Sequence, residues 1–95
     1  MILSLAHAEV DDAAAINVYG AWSEIVVGER PRGLVDCYLS EGDGVVQVAA
    51  LWETMEDHDR AFEEKLNHPA FGLFAACGLD PTHTIHRVIG RFHAH

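Results

Sequence analysis

The 95 residues, 49% of them hydrophobic, fit a single domain over residues 1–95 with a packed core. Fifteen Asp and Glu against six Lys and Arg give a formal net charge of −9, which repels phosphate backbones and anionic lipid heads, so neither nucleic acid nor membrane is expected as a partner. The longest apolar run, Val45 to Leu51, is far shorter than the roughly 20 residues that cross a bilayer.

The two cysteines, Cys37 and Cys77, are too few for a disulfide framework and too far apart for a CxxC metal clip. We expect both to be reduced thiols in the core. The N-terminal segment lacks the basic start of a signal peptide and soon becomes acidic. A cytoplasmic location is therefore expected.

The beginning of the sequence predicts a strand followed by a helix. Ile2 to Val10 fits a strand, and Asp11 and Asp12 are good helix N-cap candidates. Apolar residues then recur at intervals of three and four, as on one face of a helix: Ala15, Tyr19, Trp22 and Val26. Gly28 can close this helix.

A β-hairpin is predicted next. Leu34 to Leu39 alternates as a strand, and Ser40 to Gly44 fits a hairpin loop whose two glycines allow positive φ values. Val45 to Trp52 is the most strand-like segment of the sequence. Because it is apolar on both faces, we expect a central strand that is covered on both sides.

The remaining sequence predicts helical segments and a final strand. Thr54, followed three residues later by Asp57, resembles a capping box that begins a helix. Pro69 to Cys77 fits a further short helix, because proline suits a first helical turn, and Thr82 to Phe92 alternates as a strand. The order βαββαβ predicts an α+β, ferredoxin-like half-barrel.

Three segments resemble those of the antibiotic-biosynthesis-monooxygenase family. Arg32 to Tyr38 resembles the start of that family's second strand, Val46 to Thr54 its hydrophobic strand ending in a tryptophan, and His68 to Phe71 the proline step in its second helix. The resemblance implies a homodimer in which two four-stranded sheets face one another as a dimeric α/β barrel. It further implies a pocket between each sheet and its helices. Characterised relatives include cofactor-free oxygenases that convert phenolic polyketide rings to quinones, and haem-degrading enzymes.

His7 and Trp52 are the candidate catalytic residues. The resemblance places His7 near the position at which haem-degrading relatives carry a catalytic asparagine, and a neutral imidazole there could accept a proton from a phenol. The alternative is a histidine that faces solvent or the barrel. Trp52 could stack on an aromatic ligand, although a packing anchor for the second helix is the favoured interpretation.

Further aromatic and histidine residues are candidates for lining a small-molecule pocket, although most of the aromatic ones also fit a core stripe. They are Tyr19, Trp22, His58, Phe62, Phe71, Phe74 and His86. The expected ligand is a small hydrophobic or aromatic molecule.

Neither a cofactor nor a metal ion is expected. When His68 to Phe71 is matched to the helix of haem-degrading relatives, the axial position falls near Ala75, which offers no ligand. His83 and His86 lie three residues apart in a predicted strand and would point to opposite faces, while His93 and His95 lie at the chain end. We therefore predict no metal site.

Two functions follow as hypotheses. The first is a cofactor-independent monooxygenase that acts on an electron-rich aromatic, with His7 helping to deprotonate a phenol and Trp52 orienting the ring. The second is a non-catalytic small-molecule-binding or structural protein built on the same dimeric barrel, supported by the lack of a complete catalytic set. Quinone formation under O₂ separates the two.

Overall fold

The computed structural model describes residues 1–64 and 68–92. Its elements follow the predicted order, with the second helical region divided into two helices. In chain order they are β1 (Ile2–Glu9), α1 (Asp12–Ile25), β2 (Leu34–Gly42), β3 (Val45–Trp52), α2 (Met55–Glu63), α3 (Pro69–Ala76) and β4 (Thr82–Arg87). Within these residues, no helix has both the length and the apolar character needed to cross a bilayer.

The four strands form one antiparallel sheet in the order β2-β3-β1-β4. In the register, Ala6 lies opposite both Val48 on β3 and His83 on β4. Residues that are directly opposite share a face of an antiparallel sheet. This pairing places the two predicted hairpin strands at one edge and confirms the α+β, ferredoxin-like architecture.

One face of the sheet packs against the helices and holds the core. Alternate residues of β3, Val46, Val48, Ala50 and Trp52, are almost completely buried, and so are Ser4 and Ala6 on β1. Val18 of α1 and Leu73 and Phe74 of α3 pack against this face. The period of two along β3 therefore decides which side chains meet the helices.

The helix starts follow the capping residues that the sequence predicts. The Asp11 carboxylate accepts a hydrogen bond of 2.8 Å from the amide of Ala14 at the start of α1. The Thr54 hydroxyl accepts from the amide of Asp57 at 3.1 Å and donates to the Asp57 carboxylate at 2.9 Å. Each cap satisfies amides that have no partner within the helix.

The hairpin turn is tighter than predicted. β2 continues to Gly42, so Ser40 to Gly44 is not an open loop. The positive φ values belong to Asp43 (52°) and Gly44 (74°), and not to Gly42. Two consecutive residues with positive φ make a two-residue type I′ turn, which matches the twist of the flanking strands and which Asp tolerates.

The last strand is shorter than predicted, because it ends at Arg87 and not at Phe92. Arg87 pairs with Ile2, the first residue of β1, and the amide of Val88 donates to the carbonyl of Met1 at 3.0 Å. The described pairing of β4 with β1 ends at this point. The alternation of residues 88–92 therefore does not produce a strand.

In the part of the chain that the structure describes, no helix covers the second face of the sheet. The intervening residues of β3, Val45, Gln47, Ala49 and Leu51, lie on this open face and are half-buried. Tyr38 pairs with Ala49 on the same face and is 64% exposed. β3 is a central strand, as predicted, because it lies between β2 and β1; within one chain the helices cover only one of its faces.

Candidate functional site

A cleft of about 390 Å³ opens where the end of α1 and the connection after it meet β2 and the start of α3. Its volume lies within the range of small-molecule sites, roughly 300–1,000 Å³. Its lining is Trp22, Ile25, Val26, Gly28, Glu29, Arg30, Pro31, Leu34, Cys37, His68 and Pro69. This is the space between sheet and helices in which the resemblance places a pocket.

The lining of the cleft combines an apolar interior with a charged rim. Trp22, Leu34 and Cys37 are half-buried. Burial raises the pKa of the Cys37 thiol to about 11, so this thiol is neutral and behaves as a small hydrophobe. Glu29 and Arg30 are exposed and line the same cleft. Such a lining suits a flat hydrophobic molecule with one polar edge.

Three histidines meet where α2, the start of α3 and β4 lie next to one another. One ring nitrogen from each of His58, His68 and His83 lies within 4.8 Å of the others. His58 and His68 are 1% and 0% exposed, and His83 is half-buried. We call these three residues the histidine cluster. His68 also lines the cleft, so the two features share a residue.

Local structure fixes each ring of the histidine cluster. His58 lies on α2 with its Nδ1 at 3.2 Å from the carboxylate of Asp59. His68 is the N-cap of α3, and its Nδ1 accepts hydrogen bonds from the amides of Ala70 (3.2 Å) and Phe71 (3.3 Å). His83 pairs with Ala6 and therefore points from β4 towards the helices.

Aromatic rings surround the histidine cluster. Trp52 meets His58 edge-on with a centroid distance of 5.6 Å and lies 5.6 Å from His68. The ring of Phe71 lies 5.0 Å from that of His68, and Phe62 stacks on His83 at 6.2 Å. The cluster thus sits in a largely aromatic environment.

This environment favours the neutral forms of His68 and His83. Burial, with the repulsion that a charged His58 or His83 would add, lowers the pKa of His68 from 6.5 to about 3. Burial and His58 also lower the pKa of His83. The Nε2 atoms of all three rings are buried without a hydrogen-bond partner among the described residues. Each of the three rings therefore has one buried nitrogen that no described residue partners.

The two predicted strand histidines lie away from the cleft. His7 pairs with Gln47, and His86 pairs with Leu3, all on the open face. His83 and His86 lie on opposite faces, as their spacing predicts. Because the sheet separates His7 from the cleft of the same chain, this placement favours the alternative of a histidine that faces solvent or the barrel.

The other candidate residues divide among four surroundings. Trp22 lines the cleft, whereas His58, Phe62 and Phe71 belong to the histidine cluster or its aromatic surround. Trp52 and Phe74 are 0% exposed and pack in the core, and Tyr19 is 40% exposed on α1.

Sequence reasoning missed Cys37, His68 and His83 as site residues. His68 did carry a local signal, because a polar residue directly before a proline in the first helical turn suits the N-cap position. Nothing local predicts that His83 meets the two helical histidines. His93 and His95 lie outside the described residues.

No family model and no curated protein sequence matches the chain. Its fold does match solved structures along nearly its whole length. A protein from Deinococcus radiodurans assigned as an antibiotic biosynthesis monooxygenase is 12% identical, with a TM-score of 0.76 over 100% of this chain and 99% of that chain.

Two further similar structures are of proteins with a named activity or a bound ligand. SnoaB from Streptomyces nogalater, a cofactor-independent oxygenase, is 17% identical with a TM-score of 0.68 over 95% of this chain and 94% of that chain. A variant of MhuD with two manganese protoporphyrin IX molecules bound per active site is 17% identical, with a TM-score of 0.65 over 99% and 100%. At these identities the likeness establishes the fold, and the chain therefore has the ferredoxin-like α+β fold of the antibiotic biosynthesis monooxygenase structures.

Proposed function

We propose that this protein binds a small, flat aromatic molecule in the cleft and oxidises it with O₂ without a cofactor. The observation that carries the proposal is the cleft of about 390 Å³, which has Trp22 in its wall and Arg30 at its rim. An indole offers a face for stacking on an aromatic ring. The shared fold with SnoaB, a cofactor-independent oxygenase, supports the same activity.

The proposed chemistry needs an ionised substrate and a dry interior. A guanidinium group favours the charged form of a nearby phenol, so Arg30 stabilises a phenolate at the rim. The phenolate or its carbanion passes one electron to O₂, the resulting radical pair combines to a peroxide anion, and uptake of one proton from solvent gives the hydroperoxide. Loss of water leaves the quinone, so one oxygen atom enters the product, the other leaves as water, and the substrate supplies all the electrons.

In this scheme the phenolic proton leaves at the rim of the cleft, and neither His7 on β1 nor Trp52 on β3 removes it. His7 lies on the open face, and Trp52 is sealed in the core. Solvent at the exposed rim beside Glu29 and Arg30 is the proton acceptor in this scheme. The hypothesis that His7 deprotonates the phenol remains testable, because it predicts a slower His7→Ala variant.

Quinone formation from anthrone-type phenols under O₂ tests the activity. The experiment uses chelator-treated protein and follows quinone absorbance. Trp22→Ala should lower the rate about tenfold or more, whereas Tyr19→Ala removes an exposed aromatic from the same helix and should leave it unchanged. A rate no higher than that of buffer, or equal rates in both variants, contradicts the proposal. His7→Ala should keep the wild-type rate.

Binding without turnover is the second candidate function. The observation that favours it is the position of both predicted catalytic residues, His7 and Trp52, outside the cleft. Under this alternative, Trp22 fluorescence responds to an aromatic ligand and Trp22→Ala weakens binding, while no quinone forms. The same titration and rate assay on one preparation therefore separate the two candidates.

We further propose a symmetric homodimer that is joined through the open faces. Most of this face is uncharged in a chain whose net charge is −9: Leu3, Leu5, Tyr38, Gln47, Ala49 and Leu51 lie on it, with the acidic Asp36 and Glu9 at its margins. An apolar patch of this kind normally marks an interface, and two-fold symmetry is the commonest closed arrangement. A second copy supplies a matching neutral surface, and the cleft stays open on the other side of each sheet.

A further inference from the structure

The Nε2 atoms of His58, His68 and His83 are buried without a hydrogen-bond partner in residues 1–64 and 68–92, and one ring nitrogen from each residue lies within 4.8 Å of the others. Buried polar nitrogens almost always form hydrogen bonds, so three neighbouring nitrogens without a hydrogen-bond partner need an explanation. The rings come from α2, α3 and β4, elements that are separated along the chain. The packing of these elements against one another, and not the conformation of one flexible segment, therefore brings the three rings together.

We propose that the histidine cluster binds one divalent transition-metal ion of the zinc class. Neutral imidazole nitrogens are typical ligands of Zn²⁺, Cu²⁺ and Ni²⁺, whereas Mg²⁺ and Ca²⁺ prefer oxygen ligands. With one ring nitrogen from each residue already within 4.8 Å of the others, a bond length of about 2.0–2.1 Å requires ring movements of about 1 Å. Three protein ligands leave a fourth position for water or another small ligand.

The surroundings of His58 support this assignment. Its Nδ1 lies 3.2 Å from the carboxylate of Asp59, which holds the proton on Nδ1 and directs the lone pair of Nε2 into the cluster. A carboxylate behind a histidine ligand is a common arrangement in zinc sites. The chain's net charge of −9 also raises the local concentration of cations.

A path to the histidine cluster exists beside His83. This residue is half-buried, and Phe62, which stacks on its ring, is 39% exposed. A metal ion can therefore enter from the side of β4 and α2 without opening the core. His83 is also the member whose removal disturbs packing least, because His58 and His68 are almost completely buried.

His68 gives metal binding a structural signature. Its Nδ1 accepts from the amides of Ala70 and Phe71, so the neutral ring carries its proton on Nε2. Coordination through Nε2 moves this proton to Nδ1, and the ring then releases both amides at the start of α3. Binding in the cluster must therefore alter the amide signals of Ala70 and Phe71, which binding elsewhere on the surface would not do.

Metal titration of the tag-free, chelator-treated chain tests the proposal. Zn²⁺ is followed by calorimetry, and Co²⁺ by the visible absorption of a tetrahedral site. We expect one ion per chain, about 100-fold weaker binding in His83→Ala, and roughly 10- to 100-fold weaker binding in Asp59→Asn. His86→Ala is the matched control, since it removes a histidine from the opposite face of the same strand. His93→Ala/His95→Ala controls for the chain end.

The amide signals of Ala70 and Phe71 provide the second readout. They should shift on addition of Zn²⁺ in the wild type and in His86→Ala, and stay in place in His83→Ala, whose circular dichroism confirms folding. Absence of stoichiometric binding overturns the proposal, as does equal binding in His83→Ala and His86→Ala. The outcome is independent of the proposed oxygenase activity, because quinone formation is measured on metal-free protein.

Discussion

The indole Nε1 of Trp52 donates a hydrogen bond of 3.1 Å to the hydroxyl of Ser4, and both side chains are almost completely buried. The Ser4 hydroxyl in turn donates to the carbonyl of Ala50 at 3.4 Å. These bonds tie β1 to β3 beneath the histidine cluster. They also explain why Trp52 acts as a packing anchor and not as a wall of the cleft.

Ser4→Ala should lower the free energy of unfolding by about 1–3 kcal/mol, because it leaves the Trp52 indole N–H buried without a partner. Urea unfolding measures the loss. Ser40→Ala, at an exposed position of β2, is the matched control and should change stability by less than about 0.5 kcal/mol. Equal stability of the two variants would show that the Trp52 hydrogen bond contributes nothing.

Two glycines should respond to alanine in opposite directions. Gly33 has a φ of +84°, and an added Cβ would meet the side chain of Asp57, so Gly33→Ala should destabilise the fold by about 1–3 kcal/mol. Gly20 lies within α1 with no atom within 4 Å of an added Cβ, so Gly20→Ala should stabilise by about 0.5–1 kcal/mol. Thermal unfolding of both variants checks the signs, and a stabilising Gly33→Ala would contradict the geometry at Asp57.

Stability of the metal-free protein should fall as the pH decreases. The pKa of His68 is about 3 in the folded chain, whereas its ordinary value is 6.5, so the unfolded state binds the proton first. The stabilisation is complete above pH 6.5 and is lost between about pH 6.5 and 3, by at most about 1.4 kcal/mol per pH unit. The lowered pKa of His83 acts in the same direction.

His68→Asn isolates the contribution of His68, because asparagine can still cap α3 but does not titrate. Urea unfolding at pH 7 and pH 5, with chelator present, should give a smaller loss of stability in the variant than in the wild type. Identical losses would assign the acid sensitivity to other groups.

Sedimentation equilibrium tests the homodimer. At micromolar concentration we expect twice the 10.4 kDa mass of the chain. Leu5→Asp places a charge at the centre of the open face and should shift the equilibrium to the monomer, whereas Ile16→Asp, at a position of α1 that is 68% exposed, should not. A stable 10.4 kDa wild-type species would contradict the joining of the open faces.

Local signals in the sequence predicted most of the fold. The capping residues Asp11 and Thr54, the proline at the start of α3 and the alternation of β3 act within a few residues, and the structure follows them. The errors occur where a partner strand decides the outcome. β4 ends at Arg87, opposite the first residue of β1, and the alternation of residues 88–92 cannot reveal where this pairing stops.

The candidate site was less predictable, because it depends on side chains that meet only after folding. Trp22 reaches the cleft from the apolar stripe of α1, as proposed from the sequence. The sequence does not indicate which of His83 and His86 faces the helices. The pairing of His83 with Ala6 in the sheet turns the His83 ring towards them. His7 faces the other way because its neighbours Ala6 and Ala8 occupy the helix side of β1.

The position of a bound aromatic molecule tests the central claim most directly. Titration of the ¹⁵N-labelled, metal-free protein with an anthrone-type phenol, followed by amide and indole chemical shifts, locates the ligand. We predict that the largest shifts fall on the Trp22 indole, Leu34 and Cys37, which line the cleft. Shifts concentrated on the open face, at His7 and Tyr38, would contradict the assignment of the cleft as the binding site.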